Sequence, residues 1–267
     1  MKKPAVPTFS VKTLEFLKKA SRQKREDWLE KQRDEYESAV LNPLQYLARQ
    51  LKSELNRLVP DYNFPQKSIG RLKRPAHRAA EYGSLYKNWV SYSAARPRTS
   101  RFEHNPNLFF LINTEDPKDP VLLAGGLYMP SSRQLRKLRE TIAEDATAFE
   151  RLFATKEFSR SFADGFSDEK TATRPPRGFD PDHPKMKWLK LQAFFVWKPY
   201  TRREFASRDF FDLVTRDCRQ ILRLNALLDK ALDGRLPVEA PKVKVPKSSD
   251  LLARLENIKH VERKMDF

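Results

Sequence analysis

Residues 9 to 58 carry apolar positions at helical spacing. Val11, Leu14 and Leu17 follow Ser10, which can cap a first helix. Trp28, Leu29, Tyr36 and Val40 mark a second, starting near Lys24. Asn42 and Pro43 form a cap and first-turn proline, opening a third helix whose stripe is Leu44, Leu47, Leu51, Leu55 and Leu58. Pro60 stops it, and without a break at Pro43 the last two would be one kinked helix.

From residue 61 to 130 the pattern turns to short β-like runs. "NLFFLINT", 107 to 114, and "PVLLAGGLYM", 120 to 129, are joined by the polar "EDPKDP" and should pair antiparallel. "KSIGRLKR" and "NWVSYS" are further strand candidates, and "WLKLQAFFVWKPY" is another after the loop at 165 to 186. Ser131 with Gln134, and Thr201 with Glu204, have capping-box spacing. The first opens a helix with Leu135, Leu138 and Ile142, and another covers 146 to 155. A long helix from about Ser207 to Leu232 closes the domain. Helices, then strands, then helices, without strict alternation, predict an α+β domain with a mostly antiparallel sheet, flanked by N-terminal helices and a long C-terminal helix. One domain over 1 to 232 is expected. The remainder, 233 to 267, reads as a linker or strap with a short helix at 249 to 260 docking through Leu251, Leu252, Leu255 and Ile258.

Composition narrows the class. The 267 residues are 39% hydrophobic and 33% charged, enough apolar surface for a globular fold. Lysine and arginine total 52 against 35 acids, a formal net charge of +17, which draws polyanions without conferring specificity. The single cysteine excludes an intramolecular disulfide and a cysteine-based zinc site. Cys218 falls on the apolar face of the long helix and reads as a buried, inert thiol. No stretch has the length and apolarity of a signal peptide or membrane span, so a soluble, cytoplasmic protein with no membrane insertion is expected.

Four stretches carry a family resemblance: "FSVKTLEFL" with "REDWLEKQRDEYESAV", "RLKR...YK", "LLAGGLYMPSSRQLRKLRETIAED" and "RPPRGFDPDHPKMKWLKLQAFFV". In this order, over about residues 9 to 232, the chain resembles a divergent member of the domain-of-unknown-function family numbered 2461. Members of that family usually carry Arg-Ile-x-Arg-Asp-x-Arg-Phe, then Asp-Lys and Pro-Tyr-Lys. In "RLKRPAHRAAEYGSLYK", Arg71, Arg74, Tyr86 and Lys87 match, and Arg78 matches with one residue inserted. Pro75 stands at the acidic position, Ala79 at the aromatic one, and Asp-Lys is absent. The resemblance implies no settled activity. Any proton- or metal-handling role of those positions in relatives would be lost here and the binding surface kept.

The residues themselves offer three groups of candidate chemistry. Between Asp61 and Arg101 lie nine cations, Lys67, Arg71, Lys73, Arg74, Arg78, Lys87, Arg96, Arg98 and Arg101, against two acids, Asp61 and Glu81. Tyr82, Tyr86, Trp89, Tyr92 and Phe102 interleave with them, a mixture suited to phosphate clamping and base stacking, or to a solvated cationic face over a packed sheet. Gly125 and Gly126 could turn backbone amides toward an anion, or mark a β-bulge. In "RPPRGFDPDHP", Asp180, Asp182 and His183 could serve as acid, base or metal ligands beside Arg174 and Arg177, or the prolines and aspartates could simply stiffen a loop. His77 is a second titrating candidate within the basic cluster.

No P-loop, dinucleotide fingerprint, nucleophile elbow or zinc-peptidase helix occurs. The sequence calls for no cofactor and no metal. The leading expectation is a binding module for a phosphorylated small molecule or nucleic-acid backbone, through Arg71, Arg74, Arg78, Lys87, Arg174, Arg177, Gly125 and Gly126. A phosphate-ester hydrolase built on His183, Asp180 and Asp182 is one alternative. The other is an interaction protein whose basic face docks an acidic partner.

Overall fold

Pro43 stands in the first turn of a helix, yet the chain does not break there. In the computed structural model, which describes residues 7–66, 69–97 and 103–233, the chain is helical on both sides of it. Helix α1 (Val11–Ser21) is followed by α2 (Trp28–Lys31), α3 (Arg33–Tyr36), a π-helical stretch at Glu37–Leu41, and α4 (Asn42–Leu55). Proline has no N–H, so the carbonyl four residues earlier, that of Ala39, loses its helical donor. The Thr13 hydroxyl donates to that carbonyl at 2.7 Å, and the π stretch absorbs the misfit.

The sheet is a four-stranded antiparallel meander: β1 (Trp89–Ala95), β2 (Asn107–Asn113), β3 (Val121–Leu127) and β4 (Phe194–Tyr200), neighbours in that order. Its strands include the expected "NWVSYS"; among the described residues of "KSIGRLKR", Lys73 forms a bridge with Tyr86. Alternation splits the strands into two faces. The inner face carries Val90, Tyr92, Leu108, Phe110, Val121, Leu123, Gly125, Val196 and Tyr200, set by the register. The long helix α11 (Phe210–Asp233) lies across β2 and β3 on that side. One buried cluster runs through this layer from Phe9 to Ala231.

The shorter helices are α5 (Ala76–Tyr82), which lies before the sheet and buries no side chain, then α6 (Ser132–Glu144), α7 (Thr147–Ala154), α8 (Lys156–Ser161), α9 (Met186–Leu189) and α10 (Arg202–Phe205). Both predicted capping boxes form: Gln134 N donates to Ser131 Oγ at 3.2 Å, and Glu204 N to Thr201 Oγ1 at 3.2 Å. The architecture is α+β, with an antiparallel sheet that follows the N-terminal helices and precedes the long C-terminal one in the chain. Expectations for Lys67, Arg98, Arg101, Phe102 and the tail from 234 onward, including the helix at 249 to 260, lie outside the described residues.

Candidate functional site

The segment ahead of β1 folds back on itself. Arg74 N donates to Leu85 O at 2.9 Å and Lys87 N to Leu72 O at 3.0 Å, closing a two-stranded bridge around α5. Gly83, at φ +62°, ends α5 in the left-handed conformation and turns the chain back. Across an antiparallel bridge the residues flanking the central pair share one side, so Arg74 and Lys87 emerge together, opposite Lys73 and Tyr86.

Both cations are held against rings. The Arg74 guanidinium lies 4.7 Å from the Tyr82 ring centre, with Nε 3.5 Å from Ser84 Oγ. The Lys87 ammonium lies 4.0 Å over Trp89. Each side chain is only 7% exposed, rare for these residue types. Cation–π contact contributes about 0.5–2 kcal/mol per pair, more as water is removed. The Trp89 indole nitrogen is buried and makes no hydrogen bond. On the far side of the bridge the Tyr86 hydroxyl sits 2.7 Å from Glu26 O, and Lys73 pairs with Glu26 at 3.0 Å.

The remaining sequence candidates are spread over the fold rather than gathered at this corner. Arg71 is exposed, and Arg78 on α5 pairs with Glu81 at 2.9 Å. His77 is exposed on α5. Arg96, at the opposite end of β1, contacts Asp61 and Asp229, each at 3.5 Å. Gly125 and Gly126 stand in unbroken register between β2 and β4, so there is no bulge at this point. A Cβ on Gly125 would fall 2.0 Å from Ile221 Cγ2, and one on Gly126 2.3 Å from Phe194 O. Close packing of helix on sheet and strand on strand accounts for this pair of glycines.

The proline-rich loop is held by its own hydrogen bonds. Asp182 N donates to Asp180 Oδ1 at 3.0 Å, His183 N to Asp180 O at 3.0 Å, and Lys185 N to His183 Nδ1 at 3.1 Å, leading into α9. Asp180 and Asp182 are exposed, as are Arg174 and Arg177. Among the described residues no group of three His, Cys, Asp or Glu side chains is placed to hold a metal. The loop is closed at its base by a bridge between Thr171 and Leu191. There Lys170 lies 3.4 Å over the Tyr128 ring, which meets Phe195 edge-on at 5.0 Å.

Sequence reasoning missed Ser84, Lys170, Tyr128 and Trp197. The signal was the period-two alternation of "AFFVWKPY", which sends Phe195 and Trp197 to the outer face. It also missed a polar knot inside. Asp217, fully buried on α11, accepts from Ser161 Oγ at 2.7 Å, Lys198 Nζ at 2.7 Å and Tyr200 OH at 2.8 Å, with Arg216 Nε at 3.3 Å. Burial and the neighbouring carboxylate push the Tyr200 phenol well up. Those four donors saturate the carboxylate, which suits a structural tie between α8, β4 and α11. Cys218 beside it is fully buried, and burial raises its thiol well above the ordinary range.

Together these features define an α+β protein with a helix-covered inner sheet face and a cation–aromatic corner at the edge of the outer one. The chain belongs to the family described as Conserved hypothetical protein (DUF2461), which matches residues 12–226. No curated protein and no solved structure matches it. No helix among the described residues is long and apolar enough to cross a membrane.

Proposed function

We propose that the protein is an anion-binding module that takes a phosphorylated ligand at the Arg74–Lys87 corner. One observation carries this reading: two cations from opposite arms of a closed loop reach the same side of the bridge and are fixed against Tyr82 and Trp89. Guanidinium and ammonium groups already ordered in this way lose little side-chain entropy on meeting an anion, and their partial desolvation strengthens the attraction. The chain's formal charge of +17 adds long-range steering toward anions.

The test is calorimetric titration of the full chain with inorganic tripolyphosphate at low and at physiological salt. Binding that weakens with salt and falls at least tenfold in Lys87→Gln, with the variant still folded by circular dichroism, supports the reading. Absence of binding at low salt, or binding by Lys87→Gln and Arg74→Gln as tight as that of wild type, refutes it.

A further inference from the structure

Facing away from the helices, the sheet presents cross-strand rows fixed by its register. One row is Ser91, Leu111, Leu122 and Pro199; the next is Ser93, Phe109, Ala124 and Trp197; the last is Ala95, Asn107, Gly126 and Phe195. Trp89 and Leu111 are buried beneath Phe109 and Leu122, while Trp197 and Pro199 are half-buried. Trp197 has the small Ala124 as its cross-strand neighbour.

Cations flank this face at two diagonal corners. Lys87 and Arg74 stand at the Trp89 end of β1. Lys170 stands over Tyr128 beyond the end of β3, at the base of the loop that carries exposed Arg174 and Arg177. Six residues along a strand and two inter-strand spacings, from β1 to β3, separate the corners, roughly 22 Å on the diagonal at ~3.3 Å per residue and ~4.8 Å per spacing. A small phosphorylated molecule cannot reach both.

We infer that the ligand of this surface is single-stranded nucleic acid, laid across the outer sheet face from the Arg74–Lys87 corner to Lys170, with a base stacked on Trp197. This rests on the anion-binding reading and names its ligand. Repeated negative charge suits the separated cations, and flat bases suit an aromatic between them, the combination that single-strand binders use. A stacked strand advances ~3.4 Å per nucleotide, so the diagonal accommodates about six stacked nucleotides.

The experiment is fluorescence anisotropy with the full chain and labelled oligo(U) and oligo(dU) of two, four, eight and twelve residues, with poly-glutamate and tripolyphosphate as base-free anions. Affinity should climb with length and level off by about eight nucleotides. Trp197→Leu should lose about tenfold, the scale of one lost base stack, and Trp197→Phe should recover most of it. Lys170→Gln should weaken the eight-mer and leave tripolyphosphate binding at the other corner unchanged. A preference for oligo(U) over the matched oligo(dU) would show that the 2′-hydroxyl is read. Poly-glutamate binding as well as oligo(U), or equal binding by wild type, Trp197→Leu and Lys170→Gln, overturns the inference. Tripolyphosphate binding that still depends on Lys87 would leave the anion-binding reading standing in that event.

Discussion

The hydroxyl of Thr13 donates 2.7 Å to the carbonyl of Ala39, the backbone group that Pro43 leaves without a helical partner. The same oxygen accepts from Ser10 N at 3.2 Å, so one buried side chain caps α1 and repairs the helical run entering α4. Thr13→Val keeps the shape and removes both bonds. A buried carbonyl left unsatisfied costs about 1–3 kcal/mol. Urea unfolding should show that loss, and Thr13→Ser should retain most of the stability. Equal stability of Thr13→Val and wild type would mean that the π stretch alone absorbs the proline.

Asp217 ties three elements through charge-assisted hydrogen bonds. Its side chain is fully buried and that of Lys198 is 20% exposed, so Asp217→Asn leaves an ammonium largely out of water without a counter-charge. Removing one member of such a pair costs about 3–5 kcal/mol. Lys198→Met should cost less, because Ser161 and Tyr200 still donate to the carboxylate and Arg216 remains beside it. Thermal denaturation of the two variants should rank them in that order, at roughly 2–4 °C per kcal/mol for a chain of this size.

Asp229 supplies a pH signature. Burial pushes its carboxyl up to about 6, with Asp233 and Asp61 adding to the rise and Arg96 opposing it. The ordinary value is about 3.9, so between pH 4 and 6 the folded state binds more protons than the unfolded one. Stability therefore falls as pH rises through this window, by ~2–3 kcal/mol if the whole shift is expressed. Denaturant unfolding of Asp229→Asn should match wild type near pH 4 and exceed it at pH 7. Parallel pH profiles for the two proteins would remove Asp229 as the source.

What was legible in the sequence was local. Ser131 and Gln134 sit three residues apart, and their spacing alone foretold the start of α6. The strands around Phe110 and Leu123 announced themselves by composition and a short polar connection. Pro43 was legible as a first-turn proline or a kink, whereas its repair by Thr13, far away in sequence, was not. The basic cluster was legible as composition and not as a site: Lys87 and Arg96 flank β1 at opposite ends, so neighbours on paper are separated by a whole strand. Arg74 and Lys87 meet only because α5 folds the chain back between them. The Asp217 knot was invisible because Lys198 sits in a strand whose other inner-face residues are apolar.

Gly125 and Gly126 should respond differently to substitution, because different neighbours confine them. The obstacle to a Cβ on Gly125 is mainly Ile221 Cγ2, a side-chain atom, although Asn107 O is also close at 2.9 Å. Gly125→Ala should destabilise by about 1–3 kcal/mol, the usual cost of overpacking. Ile221→Ala should cost less in that background than in wild type, since the methyl it removes is the one in the way. On Gly126 the obstacle is the Phe194 carbonyl at 2.3 Å, and φ of +123° disfavours any side chain. Gly126→Ala should therefore be the more damaging of the two, and no side-chain truncation should relieve it. Double-mutant cycles with Ile221→Ala check both statements: coupling with Gly125→Ala and none with Gly126→Ala is the expected result. Coupling of equal size at both positions would show that the helix, rather than the neighbouring strand, confines Gly126.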